Sequence, residues 1–303
     1  MAKILTVKEI LDWAQKHNKA VCAFNVNNME LVQAVTEAAA ETNVPIILQV
    51  SKGAKKYAGM NYILKLVEAA VQVTGVKAAL HLDHGDSFEL CKECLDNGFT
   101  SVMIDGSHLS FEENIALTKR VVDYAKKFGA SVEGELGQIA GIEEHVNHEH
   151  SLYTDPTKVK EYVMRTGVTS LAISIGTAHG AFKYKTTPSL RFDILQEIQK
   201  EIPNTPLVLH GASSVTLGDV ETINKFGGNI QNALGVSEEY LAETIPLGVR
   251  KINIDSDLRL AMTAKLREYL GTNPEHFDPR QYLGAAKQHV KELVKKKLGF
   301  FSG

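Results

Sequence analysis

The stretch AALHLDHGD, Ala78 to Asp86, opens as a buried strand and closes on His81, Asp83, His84 and Asp86. Small and branched apolar side chains lead in, and ionisable groups crowd the exit. In a parallel barrel the C-terminal ends of all strands share one face, and sites are assembled there. If that is the reason for the pattern, other strands of this chain should end the same way.

They do. The β-rich runs are Ala20–Val26, Pro45–Ser51, Lys77–His84, Ser101–Gly106, Ser131–Gly137, Ser170–Gly176, Pro206–Ser213 and Val249–Asp255, eight in all. Their exits carry Asn25, Asn27 and Asn28; Gln49 and Ser51; His81, Asp83 and His84; and Asp105, Ser107 and His108. The later exits carry Glu133 and Glu135; His179 and Lys183; His210, Ser213 and Ser214; and Asn253, Asp255, Ser256 and Arg259. Between the runs lie segments with helical apolar spacing. In MELVQAVTEAAAETN this places Leu31, Val35, Ala38 and Ala39 on one face. TDPTKVKEYVMRTG opens with a capping Asp155 before Pro156 at a first-turn position.

Strands alternating with helices require parallel pairing through crossovers. Eight such units predict an α/β fold, a (β/α)8 TIM barrel, with the active site at the C-terminal ends of the strands. The expected domain is a single catalytic unit over residues 1–303 with a C-terminal helical extension. An open doubly wound sheet is the alternative, but it usually carries a glycine-rich turn after its first strand, and FNVNNME has none.

Composition narrows the function classes. The 303 residues are 44% hydrophobic, enough for a sizeable core, and the net charge of −3 with no basic stripe argues against nucleic acid. No apolar run reaches membrane-spanning length, and the N-terminal MAKILTVKEILDWAQKHNKA lacks the apolar centre of a signal peptide. Three cysteines do not make a disulfide framework, so cytoplasmic residence is the expectation. Cys91 and Cys94 form a CxxC, read here as helix cysteines used for packing because no further ligands match them. Lys295-Lys296-Lys297 reads as a solvated helix face.

His84, His179 and His210 come from three different strand exits, each beside a glycine. Neutral imidazoles are the usual zinc ligands, and three protein ligands leave a position open for substrate. Asp83 next to His84 is a candidate general acid/base, and Asp105 and Glu135 are candidates for a second metal position or for orienting the histidines. The hydroxyl- and glycine-bearing exits GTAHG and HGASS, with Lys183 and Arg259, suggest two phosphate regions flanking a metal. That geometry suits a bisphosphorylated sugar. GQIAGIEEHVNHEHSLYTDP is long enough for a lid, and its HVNHEH is read as a solvated loop. Lys251 is read as facing outward.

With these residues in view the chain resembles the class II, zinc-dependent fructose-1,6-bisphosphate aldolase family, which includes tagatose-bisphosphate aldolases. The resemblance runs through AFNVNNME, HLDHGD, VMIDGSH, VEGELG, YTDP, GTAHGAFK, LHGASS and KINIDSDLR to FDPRQYLGAAK. It implies the same barrel, zinc at His84, His179 and His210, and a second divalent metal position at Asp105 and Glu135. It makes Asp83 the acid/base at the substrate C4 hydroxyl, and Glu143 of the lid the carboxylate for the ketone-fragment proton, with Glu144 the neighbouring alternative. It places Asn25 among the substrate contacts and Asn253 near the reacting carbons. Gly180, Lys183, Gly211, Ser213, Asp255 and Ser256 match the dihydroxyacetone-phosphate pocket. Gly180 and Gly211 also match a monovalent-cation region (Na+ or K+). Ser51, Arg259 and Arg280 match the other phosphate region, Arg280 by way of a neighbouring subunit, which implies a homodimer or homotetramer. The implied partners are a bisphosphorylated ketose and triose phosphates. A zinc hydrolase and a non-catalytic phosphosugar-binding protein are the readings from other classes; many such hydrolases carry an H-x-H at strand one, where this chain has FNVNN.

Overall fold

The computed structural model describes residues 4–143, 146–148, 152–179 and 189–303. Eight parallel strands close into a barrel. They are β1 Val21–Asn25, β2 Ile46–Ser51, β3 Ala78–Gly85 and β4 Ser101–Ile104, then β5 Ser131–Leu136, β6 Ser170–Ile173, β7 Leu207–Leu209 and β8 Val249–Ile254. Each strand pairs with its neighbours in sequence, and β1 pairs with β8 to close the ring. All eight runs read from the sequence are strands.

Alternation along each strand divides two cores. Cys22, Phe24, Leu48, Leu80 and Leu82 point out to the helices and join the large hydrophobic cluster there. Val21, Ala23, Ile47 and Ala79 point in and pack on Val7, Ile10, Leu11 and Ala14 of the helix Val7–His17, which plugs the N-terminal end. That helix is started by a capping box in which Thr6 and Glu9 satisfy each other's backbone N–H. Met103, Ala172 and Val208 form a small apolar layer further along. Above it the interior turns polar, so the site sits on a packed floor.

Helices cover the outside, and the longest, Pro279–Phe301, lies against the helices Met29–Thr42 and Ser256–Thr272. Cys91 and Cys94 are buried in the helix Phe88–Asp96 as free thiols; burial pushes Cys94 up to about 12, which leaves it unreactive. Among the described residues no helix is long and apolar enough to cross a membrane.

Three expectations need correction. Lys297 is not on a solvated face: it is only 2% exposed and its ammonium lies 2.7 Å from Asp257. Lys251 does not face outward: it is fully buried inside the barrel, 2.9 Å from Glu133. HVNHEH is not wholly loop: Val146–His148 pairs antiparallel with Ala140–Glu143, which pairs in parallel with Ala178–His179.

Candidate active site

Contacts between strands that are not neighbours can be made only across the barrel interior. Asn25 of β1 donates through Nδ2 to Asp83 Oδ2 of β3 at 2.7 Å, and Asn253 of β8 donates to Asp83 Oδ1 at 3.3 Å. Gln49 in turn donates to Asn25 Oδ1 at 2.8 Å. Asp83 is therefore a buried carboxylate held from two sides by amides.

Asp83 and His84 are consecutive, and in a regular strand they would point to opposite faces. The strand is not regular here. Leu82 pairs with Val102 and Gly85 with Ile104, so three steps along β3 oppose two along β4. This bulge carries His84 at φ 45°, a left-handed conformation rare outside glycine. Holding a non-glycine residue there costs about 1–3 kcal/mol. The bulge turns both side chains into the mouth. Gly85 makes it possible, since a Cβ there would lie 2.5 Å from the Met103 carbonyl oxygen.

His210 follows β7 directly. Its ring stands edge-on to that of His84, with centroids 4.5 Å apart. Its Nε2 contacts Glu133 Oε1 at 2.7 Å, and Lys251 holds Glu133 Oε2. Burial alone would raise Glu133, but the Lys251 charge and the His210 hydrogen bond outweigh it and keep the carboxyl well below its ordinary range. An ionised Glu133 only accepts, so Nε2 carries the proton and Nδ1 presents its lone pair to the mouth. Asn253 Nδ2 meets that lone pair at 2.9 Å.

A second group of acids lies on the other side of His84. Asp105 Oδ2 is 3.3 Å from His84 Nδ1, and Glu135 Oε2 is 4.0 Å away. Burial disfavours charge on His84, but the Asp105 hydrogen bond and the charges of Asp83 and Glu135 overcome it and raise the imidazole. Burial and the nearby Asp105 charge push Glu135 well up as well.

Donor atoms of Asp83, His84 and His210 all lie within 4.8 Å of one another, as do those of His84, Asp105 and Glu135. Glu135 Oε2 is buried with no hydrogen-bond partner among the described residues. Two imidazoles among three buried carboxyl groups form a cradle of mixed nitrogen and oxygen donors. A divalent cation fits it.

The structure brings Asn25, Asp83, His84, Asp105, Glu135, His210 and Asn253 together. His179 ends the strand Ala178–His179, whose backbone runs against the exit of β7: a Cβ on Gly211, at φ +61°, would meet Ala178 backbone atoms at 2.5 Å. Glu143 ends the strand Ala140–Glu143, in which Gly141 pairs with His179. Gly180, Lys183 and Glu144 lie outside the described residues. Ser51 caps the helix Lys52–Ala58 by accepting from Ala54 N at 3.1 Å. Ser213 Oγ accepts from Asp255 N at 3.4 Å, and Ser256 begins the helix Ser256–Thr272. Asp255 pairs with Arg259 at 2.6 Å. Arg280 is placed apart from the cluster: its side chain is 90% exposed and pairs with Asp278. Glu133 and Lys251 are the participants that sequence reading did not assign. Their parity with Glu135 and Asn253 was the available signal, since residues two apart share a face.

With this geometry in place, comparison with known proteins is direct. Residues 5–303 match the family model described as fructose-bisphosphate aldolase class-II. The fructose-bisphosphate aldolase of Thermus caldophilus is 48% identical over 98% of this chain and 98% of its own. That of Treponema pallidum is 46% identical over 96% of this chain and 93% of its own. Among solved structures, the YdjI aldolase of Escherichia coli superposes with a TM-score of 0.77 at 29% identity, covering 99% of this chain and 98% of that one. The fold and site define a barrel aldolase of the metal-dependent kind. The chain belongs to the class II fructose-bisphosphate aldolase family.

Proposed function

We propose that this protein reversibly cleaves fructose 1,6-bisphosphate to dihydroxyacetone phosphate and glyceraldehyde 3-phosphate, as a lyase of EC 4.1.2.13. The observation that carries the reading is the juxtaposition of Asp83 with His84 and His210 at the barrel mouth, inside a chain of this family.

His84, His179 and His210 would hold zinc, and Asp105 and Glu135 a second divalent position. Bound there, zinc supplies Lewis-acid stabilisation of charge developing on the ketone oxygen. Asp83 accepts the C4 hydroxyl proton. The C4 oxygen then forms the aldehyde carbonyl as the C3–C4 bond breaks, and that bonding pair stays with the ketone fragment. Asn25 and Asn253 donate to the two Asp83 oxygens, which fixes the orientation of the carboxylate. Glu143 returns a proton to C3 of the ketone fragment. Its strand is tied to that of His179, which supports a lid moving with the site.

Gly180, Lys183, Gly211, Ser213, Asp255 and Ser256 take the ketone-end phosphate, with a monovalent cation near Gly180 and Gly211. Ser51 and Arg259 take the other phosphate, completed by Arg280 of a neighbouring subunit in a homo-oligomer. The exposure of Arg280 supports that last assignment. We place the enzyme in the cytoplasm as one catalytic unit, a reading its free, buried cysteines support.

The test is a coupled triose-phosphate assay on purified protein with fructose and tagatose 1,6-bisphosphates side by side. Faster turnover of the fructose sugar is expected. Preference for tagatose bisphosphate would reassign the substrate, and no triose phosphate from either sugar would reject the activity.

A further inference from the structure

Lys297, near the end of the C-terminal helix Pro279–Phe301, reaches under the loop that leaves β7. Its ammonium contacts Asp257 at 2.7 Å, Glu238 at 2.6 Å and the Ser214 hydroxyl. Asp257 is fully buried at the start of the helix Ser256–Thr272. Its Oδ1 accepts from Val215 N at 2.7 Å and its Oδ2 from Ser214 N at 3.1 Å. Glu238 accepts from Ser214 Oγ at 2.8 Å.

The loop so held is under strain. Val215 has φ 57°, and a β-branched residue in that region is a true outlier. From the other side Gly235 presses on the same loop, where a Cβ would sit 2.4 Å from the Ser213 carbonyl oxygen. A buried ion cluster is a poor way to gain stability, because desolvation consumes most of the Coulomb energy and apolar packing would serve as well. It does fix direction. Asp257 accepts from two adjacent backbone N–H groups and so fixes the chain just after Ser213, which stands two positions beyond Gly211 with its Oγ against Asp255 N.

We propose that Lys297 is a positioning residue for phosphate binding: it balances Asp257 so that this carboxylate can pin Ser214 and Val215 and set Ser213 for the ketone-end phosphate. The assignment rests on the aldolase reading of Ser213. It gives the C-terminal helix a part in substrate affinity, although Lys297 itself touches no substrate.

The experiment compares Lys297→Met, Lys297→Arg and the double variant Lys297→Met with Asp257→Asn, each zinc-loaded. The readouts are KM and kcat for fructose 1,6-bisphosphate, the Kd of dihydroxyacetone phosphate by calorimetry, zinc content and Tm. Lys297→Met should raise KM and the Kd by about tenfold or more, the scale of losing a charge-assisted network, with kcat within about twofold and zinc content unchanged. Lys297→Arg should recover much of the affinity. Should Lys297→Met fail to fold, the double variant removes the unbalanced carboxylate. It should regain Tm yet keep the raised KM, since one amide cannot accept from both N–H groups as Asp257 does. A lowered Tm with unchanged KM and Kd, or a double variant with normal KM, would overturn the proposal. Wild-type protein without aldolase turnover would instead sink the underlying reading.

Discussion

Asn25 Nδ2 lies 2.7 Å from Asp83 Oδ2 and so ties the exit of β1 to the exit of β3 across the barrel. The bond is internal to the protein and needs no substrate, so the carboxylate is aimed before binding. Asn25→Ala should therefore lower kcat while the fold persists, and Asp83→Ala should lose about 10²–10⁴-fold in cleavage, the range for general acid–base catalysis. Steady-state kinetics beside zinc analysis checks both. Normal turnover in Asp83→Ala would remove it from the mechanism.

Metal removal tests the cradle itself. Exhaustive chelation should abolish cleavage, and added zinc should restore it. A cation held by the folded protein alone stabilises it, so chelated protein should also unfold at a lower temperature. Full activity in protein shown metal-free by elemental analysis would end the zinc assignment.

His81 gives a pH signature separate from catalysis. Its Nδ1 contacts the Ser101 hydroxyl at 2.8 Å inside the barrel. Burial, aided by the Lys251 charge, pushes it down to about 3 from an ordinary 6.5. The unfolded chain thus takes up a proton below 6.5 that the native state refuses until about 3. The stability due to neutral His81 is present above 6.5 and is lost as the pH falls through that window. One proton corresponds to about 1.4 kcal/mol per pH unit. His81→Gln should flatten the fall in unfolding free energy between pH 6 and 5 by about that slope. Denaturant melts across the range measure it, and an unchanged slope would contradict the assignment.

Much of this site was legible because polarity along each strand changes in one direction. HLDHGD, LHGASS and NIDSDLR could each be read as strand followed by site, and the closed barrel places them together. What escaped depended on direction rather than composition. Asp83 and His84 share the mouth only because of the bulge at φ 45°, which no residue pattern announces. Lys251 was read as facing outward, yet strand parity with Asn253 puts it inside, where it pairs with Glu133. Lys297 belongs to the stripe Val290, Val294, Leu298 and Phe301 that faces the core, and its charge masked a helical spacing that was there to be read.

Gly211 supplies a last and more demanding test. It stands next to His210, and at φ +61° it adopts a backbone that side-chain-bearing residues rarely hold. A Cβ would lie 2.5 Å from both the carbonyl carbon and oxygen of Ala178, the residue before His179. Backbone atoms cannot swing away as a side chain would, so Gly211→Ala must push apart the two segments that bear His179 and His210. The effect should fall on the metal before the chemistry: displaced ligands should weaken zinc by about 10–100-fold, as lost positioning contacts do elsewhere. Competition with a calibrated chelator reads that affinity directly. High zinc should then restore part of the turnover. Asp83→Ala behaves oppositely, keeping zinc and losing turnover at any zinc concentration. Gly248→Ala is the control for a general glycine effect: its φ is +98°, but the nearest contact of a Cβ there is the flexible Gln199 side chain at 3.2 Å. It should lower stability without changing zinc affinity. If Gly211→Ala binds zinc as tightly as wild type, the close approach of Ala178 to Gly211 does not set the metal centre.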